Sequence, residues 1–118
     1  MNHAQADEDL IRVTLEMVAA NEAYQAALVM NAALLRGLAE RLGRGEDVVD
    51  IVRATPGKPG RSGAKSAEDV LESARSRFRV ALVASCMAGG MSRKEIAHNM
   101  GYSRQLVERY VRAATEQQ

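Results

Sequence analysis

A long stretch without helix breakers dominates the first half of the sequence: between Asp7 and about Leu42 there is no proline and only one glycine, Gly37. Counted in alternate steps of four and three, this stretch has the spacing of a helical seam. Seven of the ten seam positions are apolar or aromatic, the ten being Leu10, Thr14, Met17, Asn21, Tyr24, Leu28, Asn31, Leu35, Leu38 and Leu42. The pattern predicts one long helix that reaches ~50 Å.

Further apolar residues such as Ile11 and Leu15 lie off this seam, so the apolar surface is wider than a two-stranded coiled coil needs. We expect no other helix of similar length in the chain. A second copy of the chain is therefore predicted to cover this surface, forming a homodimer through residues 7–42, although another protein could take its place. Asn21 and Asn31 either pair across the interface and fix its register or face water beside a bend.

Composition favours an all-α fold. The 118 residues include 20 alanines and only 3% aromatic side chains, which suits helices packed through Leu, Val, Met and Ala. The length excludes the large barrel and doubly wound enzyme folds, which need roughly 200 residues. The single cysteine, Cys86, excludes an internal disulfide framework and a cysteine-based zinc site, and its apolar neighbours predict a buried, inert thiol.

The N-terminal residues and the hydropathy pattern bear on location. Residues 1–6 are expected to fray, and the acidic residues 7–9 do not fit the basic start of a signal peptide. No apolar stretch approaches the ~20 residues that a membrane-spanning helix needs. We therefore expect a cytoplasmic protein without a membrane partner.

A glycine- and proline-rich segment divides the chain. Gly43-Arg44-Gly45 is expected to end the long helix, and residues 46–54 have the pattern of a short amphipathic helix. Residues 55–65 contain both prolines and three glycines, which predicts a flexible basic linker. The predicted organisation is a helical dimerisation module at 1–54, the linker at 55–65 and a second domain at 66–118.

Charge follows a similar division. Residues 1–54 hold five Arg or Lys against nine Asp or Glu, a net charge of −4. Residues 55–118 hold eleven against six, a net charge of +5. The basic half is therefore a candidate for contact with a polyanion.

Serines mark the starts of three helices in the basic half. Ser66 with Asp69 forms a weakened capping box, Ser92 with Glu95 forms a complete one, and Ser103 is placed to cap the last helix. Gly89-Gly90 ends the first of these helices. The predicted helices are 67–88, 93–100 and 103–115.

The turn between the last two predicted helices has a distinctive pattern of residue types. Ala97 is small enough for the next helix to pack across it, Gly101 suits a sharp turn with positive φ, and Val107 points into the core. The remaining core positions are Ile96, Met100, Tyr102 and Tyr110.

With the preceding helix, this arrangement resembles the helix-turn-helix family of DNA-binding domains. It is most similar to the trihelical kind found in sigma-factor region 4, response-regulator output domains and small phage or plasmid regulators. The resemblance covers residues 66–115.

The resemblance implies that the last helix lies in the major groove with its N-terminal part at the base edges. Arginine can bind guanine bidentately, glutamine can pair with adenine and glutamate can accept from cytosine. Arg104, Gln105 and Glu108 are therefore the expected base-reading residues. Alternatively, each arginine is an ordinary solvated charge, and Glu108 pairs with Arg104 or Arg112 at i±4 spacing.

Contacts with the phosphate backbone are expected from the helix starts. Ser92 and Ser103 cap N-termini whose free N–H groups suit phosphate oxygens, and Arg93 and Lys94 lie beside the first of them. Arg109 and Arg112 are expected to divide between bases and phosphates. The predicted DNA-binding residues are Ser92, Arg93, Lys94, Ser103, Arg104, Gln105, Glu108, Arg109 and Arg112.

Two further basic groups have open interpretations. Arg75, Arg77 and Arg79 either extend the phosphate footprint or form a solvated face, with Arg75 and Arg79 on one side of their helix. A flexible arm that follows the DNA backbone is the alternative to simple solvation for the linker residues Lys58, Arg61 and Lys65.

The sequence contains no recognisable catalytic, metal-binding or cofactor-binding pattern, and no enzyme activity is predicted. The favoured function is a dimeric bacterial or phage transcription regulator that binds double-stranded DNA. Two-fold symmetry would favour a palindromic site with half-sites about one turn (~34 Å), or a multiple, apart. The alternatives are a packaging, partition or recombination accessory protein, and a module that binds RNA polymerase or another regulator.

Overall fold

A computed structural model of the chain describes residues 2–54 and 59–116, without the side chains of 59–64, and places them in helices joined by short turns. The helices are α1 (His3–Gly43), α2 (Val48–Ala54), α3 (Pro59–Ala88), α4 (Arg93–Met100) and α5 (Arg104–Glu116). No strand occurs in the described residues, so the predicted all-α class and the long N-terminal helix are confirmed. None of the helices that the structure describes is long and apolar enough to cross a membrane.

The start of α1 is capped rather than frayed. The backbone N–H of Gln5 donates to Asn2 Oδ1 at 2.8 Å, and the backbone N–H of Asn2 donates to Gln5 Oε1 at 3.3 Å. This reciprocal pair has the form of a capping box, with Asn and Gln in the places of Ser and Glu. Ala6 is buried, which further holds this end of the helix in place. The expectation that residues 1–6 fray is therefore wrong for residues 2–6.

Glycine ends α1, as the sequence predicts. Gly45 has φ 89°, and its N–H donates to the Leu42 carbonyl at 3.0 Å. The Glu46 N–H donates to the Arg41 carbonyl at 3.1 Å, which completes a Schellman motif. The Arg41 guanidinium also donates to the Glu46 carboxylate, and this hydrogen bond holds the Glu46 pKa below its usual value.

The short helix α2 starts two residues later than predicted because Asp47 caps it. Asp47 Oδ1 accepts from the Val49 N–H at 2.7 Å, and the Asp47 carbonyl accepts from the Ile51 N–H at 3.1 Å. Ile51 is the buried side chain of α2.

The start of α3 differs most from the sequence prediction. The helix begins at Pro59, so residues 59–65 of the predicted linker are helical, whereas residues 55–58 lie outside the described part of the chain. Proline is favourable in the first turn of a helix because the N–H it lacks would have no intrahelical partner there. Ser66 lies inside α3 and does not cap it. Instead, Lys65 pairs with Asp69 one turn on, at 3.2 Å.

α3 also overturns the expectation that the chain holds no second long helix. It spans 30 residues, compared with 41 for α1. The chain divides into two compact units, and both long helices contribute to each of them. Unit 1 comprises Met1–Val18 and Glu72–Gln118, and unit 2 comprises Ala19–Leu71. This division differs from the predicted boundary at 55–65.

In unit 1, the first turns of α1 lie antiparallel to the last turns of α3. Asp7 accepts a hydrogen bond from the Ser85 hydroxyl, and Glu16 pairs with Arg77 at 3.5 Å. The residue later in α1, Glu16, contacts the residue earlier in α3, Arg77, and this order shows that the two helices run in opposite directions. An intrachain helix therefore packs beside the part of α1 in unit 1.

Side chains from α3, α4 and α5 form the core of unit 1. The buried cluster consists of Val80, Val83, Ile96, Val107 and Tyr110. Cys86, partly buried beside this cluster, has a pKa raised by burial, as expected of a thiol that is not poised to react. Ile96, Val107 and Tyr110 are core residues that the sequence predicts, and they fix α4 and α5 against Val80 and Val83 of α3.

Unit 2 buries far fewer large side chains. Among its described side chains, the buried hydrophobic residues are Ala20, Ile51 and Leu71. Its exposed large hydrophobic residues are Leu28, Val29, Met30, Leu34, Leu35, Leu42, Val48, Val49, Val52 and Val70. Most of the apolar surface in this part of the single chain therefore remains open to solvent.

Candidate functional site

The start of α4 has the predicted capping box. Ser92 has extended backbone angles, and its Oγ accepts from the Glu95 N–H at 3.1 Å. The Glu95 carboxylate accepts from the Ser92 N–H at 3.3 Å. Because both ends of this short helix are fixed by local hydrogen bonds, Arg93 and Lys94 project from a defined backbone position.

A tight turn at Gly101 joins α4 to α5. Gly101 has φ 69° and ψ 26°, the left-handed conformation that the sequence predicts. The Tyr102 N–H donates to the Ala97 carbonyl at 3.0 Å, which closes the end of α4. The turn thereby ends one helix and sets the direction of the next within three residues.

α5 starts at the predicted cap. Ser103 Oγ accepts from the Leu106 N–H at 3.1 Å, and the Ser103 carbonyl accepts from the Val107 N–H at 3.1 Å. The Tyr102 and Tyr110 rings meet edge to face with their centroids 5.8 Å apart. Together with buried Val107, these contacts set the rotation of α5 about its own axis.

That rotation turns the polar side of α5 outwards. All five polar residues of α5 that the sequence assigns to DNA are exposed: Arg104, Gln105, Glu108, Arg109 and Arg112. At 3.6 residues per turn they fall within an arc of about 140°. Ser92, Arg93, Lys94 and Ser103 are exposed as well. The structure therefore leaves every predicted site residue accessible.

Glu108 forms an ion pair with a partner that the sequence does not indicate. Its carboxylate lies 3.4 Å from Arg93 Nη1 across the turn, whereas the sequence offers Arg104 and Arg112 at i±4 spacing. Fifteen residues separate Glu108 from Arg93, so no helical spacing connects the two, and only the packing of α5 against α4 brings them together. Both side chains are about half exposed, so the pair contributes little to stability.

Several cations near α5 have no carboxylate partner among the described residues. Lys94, Arg104, Arg109 and Arg112 are in no ion pair there, although the Arg109 guanidinium lies 6.0 Å from the centre of the Tyr110 ring. Residues 92–116 hold five Arg or Lys against three Asp or Glu. Such a surface can donate hydrogen bonds to base edges and phosphates.

The positive charge is local rather than a property of the whole unit. Unit 1 holds nine Arg or Lys and eight Asp or Glu, a net charge of +1, because its α1 segment brings acidic residues to the basic C-terminal part. Arg12 is paired with Asp9 and Glu16 on α1 itself. Any attraction of a polyanion to unit 1 must therefore come from its C-terminal part, where residues 72–91 hold three Arg against one Glu and residues 92–116 hold five Arg or Lys against three Glu.

The three arginines of the second basic cluster, Arg75, Arg77 and Arg79, differ in their contacts. Arg75 pairs with Glu72, and Arg77 donates to Ser73 Oγ at 2.7 Å besides pairing with Glu16. Arg79 has no ion-pair partner among the described residues and lies beside α5. Only one of the three arginines is therefore available for an external anion without giving up a carboxylate.

The predicted basic arm is not supported as a unit. Lys58 lies outside the described residues, and Lys65 is part of α3, where it is paired with Asp69. The backbone of Arg61 is also helical.

Comparison with known proteins adds no assignment, since no protein-family model, no curated protein and no solved structure matches the chain. In the part of the chain that the structure describes, no group of three or more His, Cys, Asp or Glu side chains is arranged to hold a metal ion. The surface around α4 and α5 is therefore the feature from which a function can be inferred.

Proposed function

We propose that this chain is a sequence-specific DNA-binding protein of the helix-turn-helix type, acting as a homodimeric transcription regulator. The proposal depends chiefly on one observation: α5 is held by a capped, glycine-dependent turn with its guanidinium-bearing side facing solvent. In this proposal α5 enters the major groove, where Arg104, Gln105 and Glu108 contact base edges.

The start of α4 is assigned to the phosphate backbone. The Ser92 side chain accepts the Glu95 N–H, while Arg93 and Lys94 are exposed beside it. On binding, a phosphate competes with Glu108 for the Arg93 guanidinium. This exchange carries a small cost because the ion pair is half exposed, and it releases Glu108 towards the bases.

The proposal of a homodimer is based on the large apolar side chains that unit 2 leaves exposed to solvent. Unit 2 leaves Val29, Met30 and Val52 each about two-thirds exposed. Large apolar side chains left exposed in such number favour an interaction surface in a soluble protein. A second copy of the chain covers it without any further component, and two reading helices bury more DNA surface than one.

A selection of bound duplexes from a random pool, with the mass of the protein measured in solution, tests both parts of the proposal. We expect one enriched motif with two-fold symmetry and a mass of two chains. Affinity should fall steeply with salt, because each phosphate contact releases counterions. Enrichment of no motif, or an affinity that salt leaves unchanged, would contradict the proposed function.

Arg104→Ala tests the assigned base-reading side of α5. The variant should lose preference at one base position, a cost of about 1–3 kcal/mol against the correct base. Arg12→Ala removes the same charge from α1, where Arg12 pairs with Asp9 and Glu16, and should leave the motif unchanged. A motif that Arg104→Ala does not alter would contradict this assignment.

A further inference from the structure

Basic side chains border the exposed face of α5 along both of its edges. On the side of α4, an open depression is lined by Arg93, Lys94, Arg104, Val107 and Glu108. On the side of α3, a second depression is lined by Glu72, Ser76, Arg79, Val80, Arg109, Tyr110 and Ala113. The first contains residues that the sequence assigns to DNA, whereas most of the second has no assigned role.

The α3-side depression is built from two matching helix faces. On α3, Glu72, Ser76 and Arg79 follow one another at spacings of four and three, so they lie on one side of the helix. On α5, Arg109 lies at the border between the exposed arc and buried Tyr110. The two arginines thus approach the same space from different helices.

The chemistry of this depression suits an anion. Glu72 is its only acidic lining residue, and it pairs with Arg75. Arg79 and Arg109 have no carboxylate partner among the described residues, and the Ser76 hydroxyl is a further hydrogen-bond donor beside them. Arginine forks bind phosphate oxygens through paired N–H groups, and a serine hydroxyl adds a third donor.

The width of the major groove connects this depression to the proposed function. A helix with its side chains is about 10–12 Å across, and the groove is about 12 Å wide, so a helix lying in it has a phosphate backbone on each side. If the α4 edge of α5 faces one strand, the α3 edge faces the other.

We propose that Ser76, Arg79 and Arg109 bind the phosphate backbone of the DNA strand opposite the one contacted by the start of α4. This inference rests on the proposed binding of DNA through α5. It adds Arg79 and Ser76 to the site, and it assigns Arg109 to phosphate rather than to a base.

Arg79→Gln tests the proposal in the full-length protein, with fluorescence anisotropy on two duplexes, the selected motif and a scrambled one. Loss of one phosphate contact should weaken binding roughly eightfold at 0.1 M salt and about fourfold at 0.2 M, because each contact contributes a salt exponent near 0.9. The loss should be equal on both duplexes, since phosphates carry no sequence information. Circular dichroism and the unfolding midpoint check that the variant is folded.

Two variants on the same helix separate a direct contact from a change in net charge. Arg77→Gln removes an equal charge, but Arg77 is held by Ser73 and Glu16, so its effect should be less than twofold. Glu72→Gln removes the carboxylate that lines the depression and should strengthen binding. An Arg79→Gln variant no weaker than Arg77→Gln would overturn the inference.

Neutral methylphosphonate linkages, placed one at a time, identify the strand. Neutralising the phosphate that Arg79 contacts should weaken the native protein and leave Arg79→Gln unaffected. The same experiment with Arg93→Gln identifies the phosphate that Arg93 contacts, as the position where neutralisation no longer weakens that variant. The phosphates identified with Arg79→Gln and with Arg93→Gln should lie on opposite strands. If both variants map to one strand, the inference is wrong while the proposed function stands; if the native protein binds no duplex at all, both fail.

Discussion

At the scale of single residues, Gly101 determines the direction of α5. Its φ of 69° lies in the left-handed region, and a Cβ added there would meet no atom of residues other than its immediate neighbours in the chain within 4 Å. A substitution at this position is therefore opposed by backbone strain and not by a steric clash. Gly101 is therefore a suitable position at which to measure the free-energy cost of a left-handed backbone conformation in this turn.

Gly101→Ala should destabilise the protein by about 1–2 kcal/mol, the cost of the left-handed conformation for a residue with a Cβ. Gly101→Asn is the matched comparison, because asparagine adopts this conformation more readily, and it should cost less. Urea unfolding followed by circular dichroism measures both. Equal losses for the two variants would mean that the cost does not come from the φ angle.

At the scale of helices, the packing of α1 on α3 should contribute measurably to the free energy of unfolding. Val13 is 3% exposed on the α1 segment of unit 1, whereas Ile11, two residues earlier, is 61% exposed. Val13→Ala should therefore cost about 1–3 kcal/mol, since it removes buried methyl groups and leaves a cavity. Ile11→Ala should cost about 0.5 kcal/mol or less in the single chain.

Denaturant unfolding at low protein concentration compares the two variants. If Val13→Ala cost no more than Ile11→Ala, α1 would not pack in unit 1 as described. A cost for Ile11→Ala that grows with protein concentration would place Ile11 in a contact between copies.

The sequence predicts the boundaries of some helices better than those of others, and the reason lies in the interactions that form each boundary. The ends of α4 and the start of α5 depend on hydrogen bonds between residues at most five apart, at Ser92, Gly101 and Ser103, so local patterns suffice. The start of α3 is not marked in this way, because a run with proline and glycine has the composition of a linker whether or not it is helical.

Two features of the candidate site were not predicted from the sequence because they depend on contacts between residues distant in sequence. The ion pair of Glu108 with Arg93 and the position of Arg79 beside Arg109 both depend on how α5 packs against other helices. Helical spacing within one segment cannot reveal either of them. Exposure of the α5 residues was predictable, because the apolar spacing of that helix already fixes which side is buried.

At the scale of the whole molecule, the balance of buried and exposed apolar residues argues for assembly. Unit 1 has a core that joins three helices, whereas unit 2, in the part whose side chains the structure describes, buries only Ala20, Ile51 and Leu71 among its hydrophobic residues. A unit with so small a core is marginally stable as a single copy. The two units therefore differ: unit 1 has its own hydrophobic core, whereas the exposed apolar side chains of unit 2 support the proposed homodimer.

Leu28→Asp tests this requirement, because Leu28 belongs to the predicted seam and is 44% exposed in unit 2. A carboxylate buried in an apolar interface without a partner is strongly unfavourable, so the variant should dissociate to single chains. Sedimentation or light scattering should show the mass halved, and binding to the symmetric duplex should weaken. Unit 1 should stay folded, since its core contains no residue of that segment.

Gln25→Asp is the matched control, since it adds the same charge about one turn away without removing an apolar side chain. It should keep the dimer and the affinity for DNA. If Leu28→Asp remained a dimer, the seam would not be the interface. If the mass halved and affinity for the symmetric duplex were unchanged, assembly would be real but irrelevant to DNA, because two linked reading helices must bind a two-fold site more tightly than one.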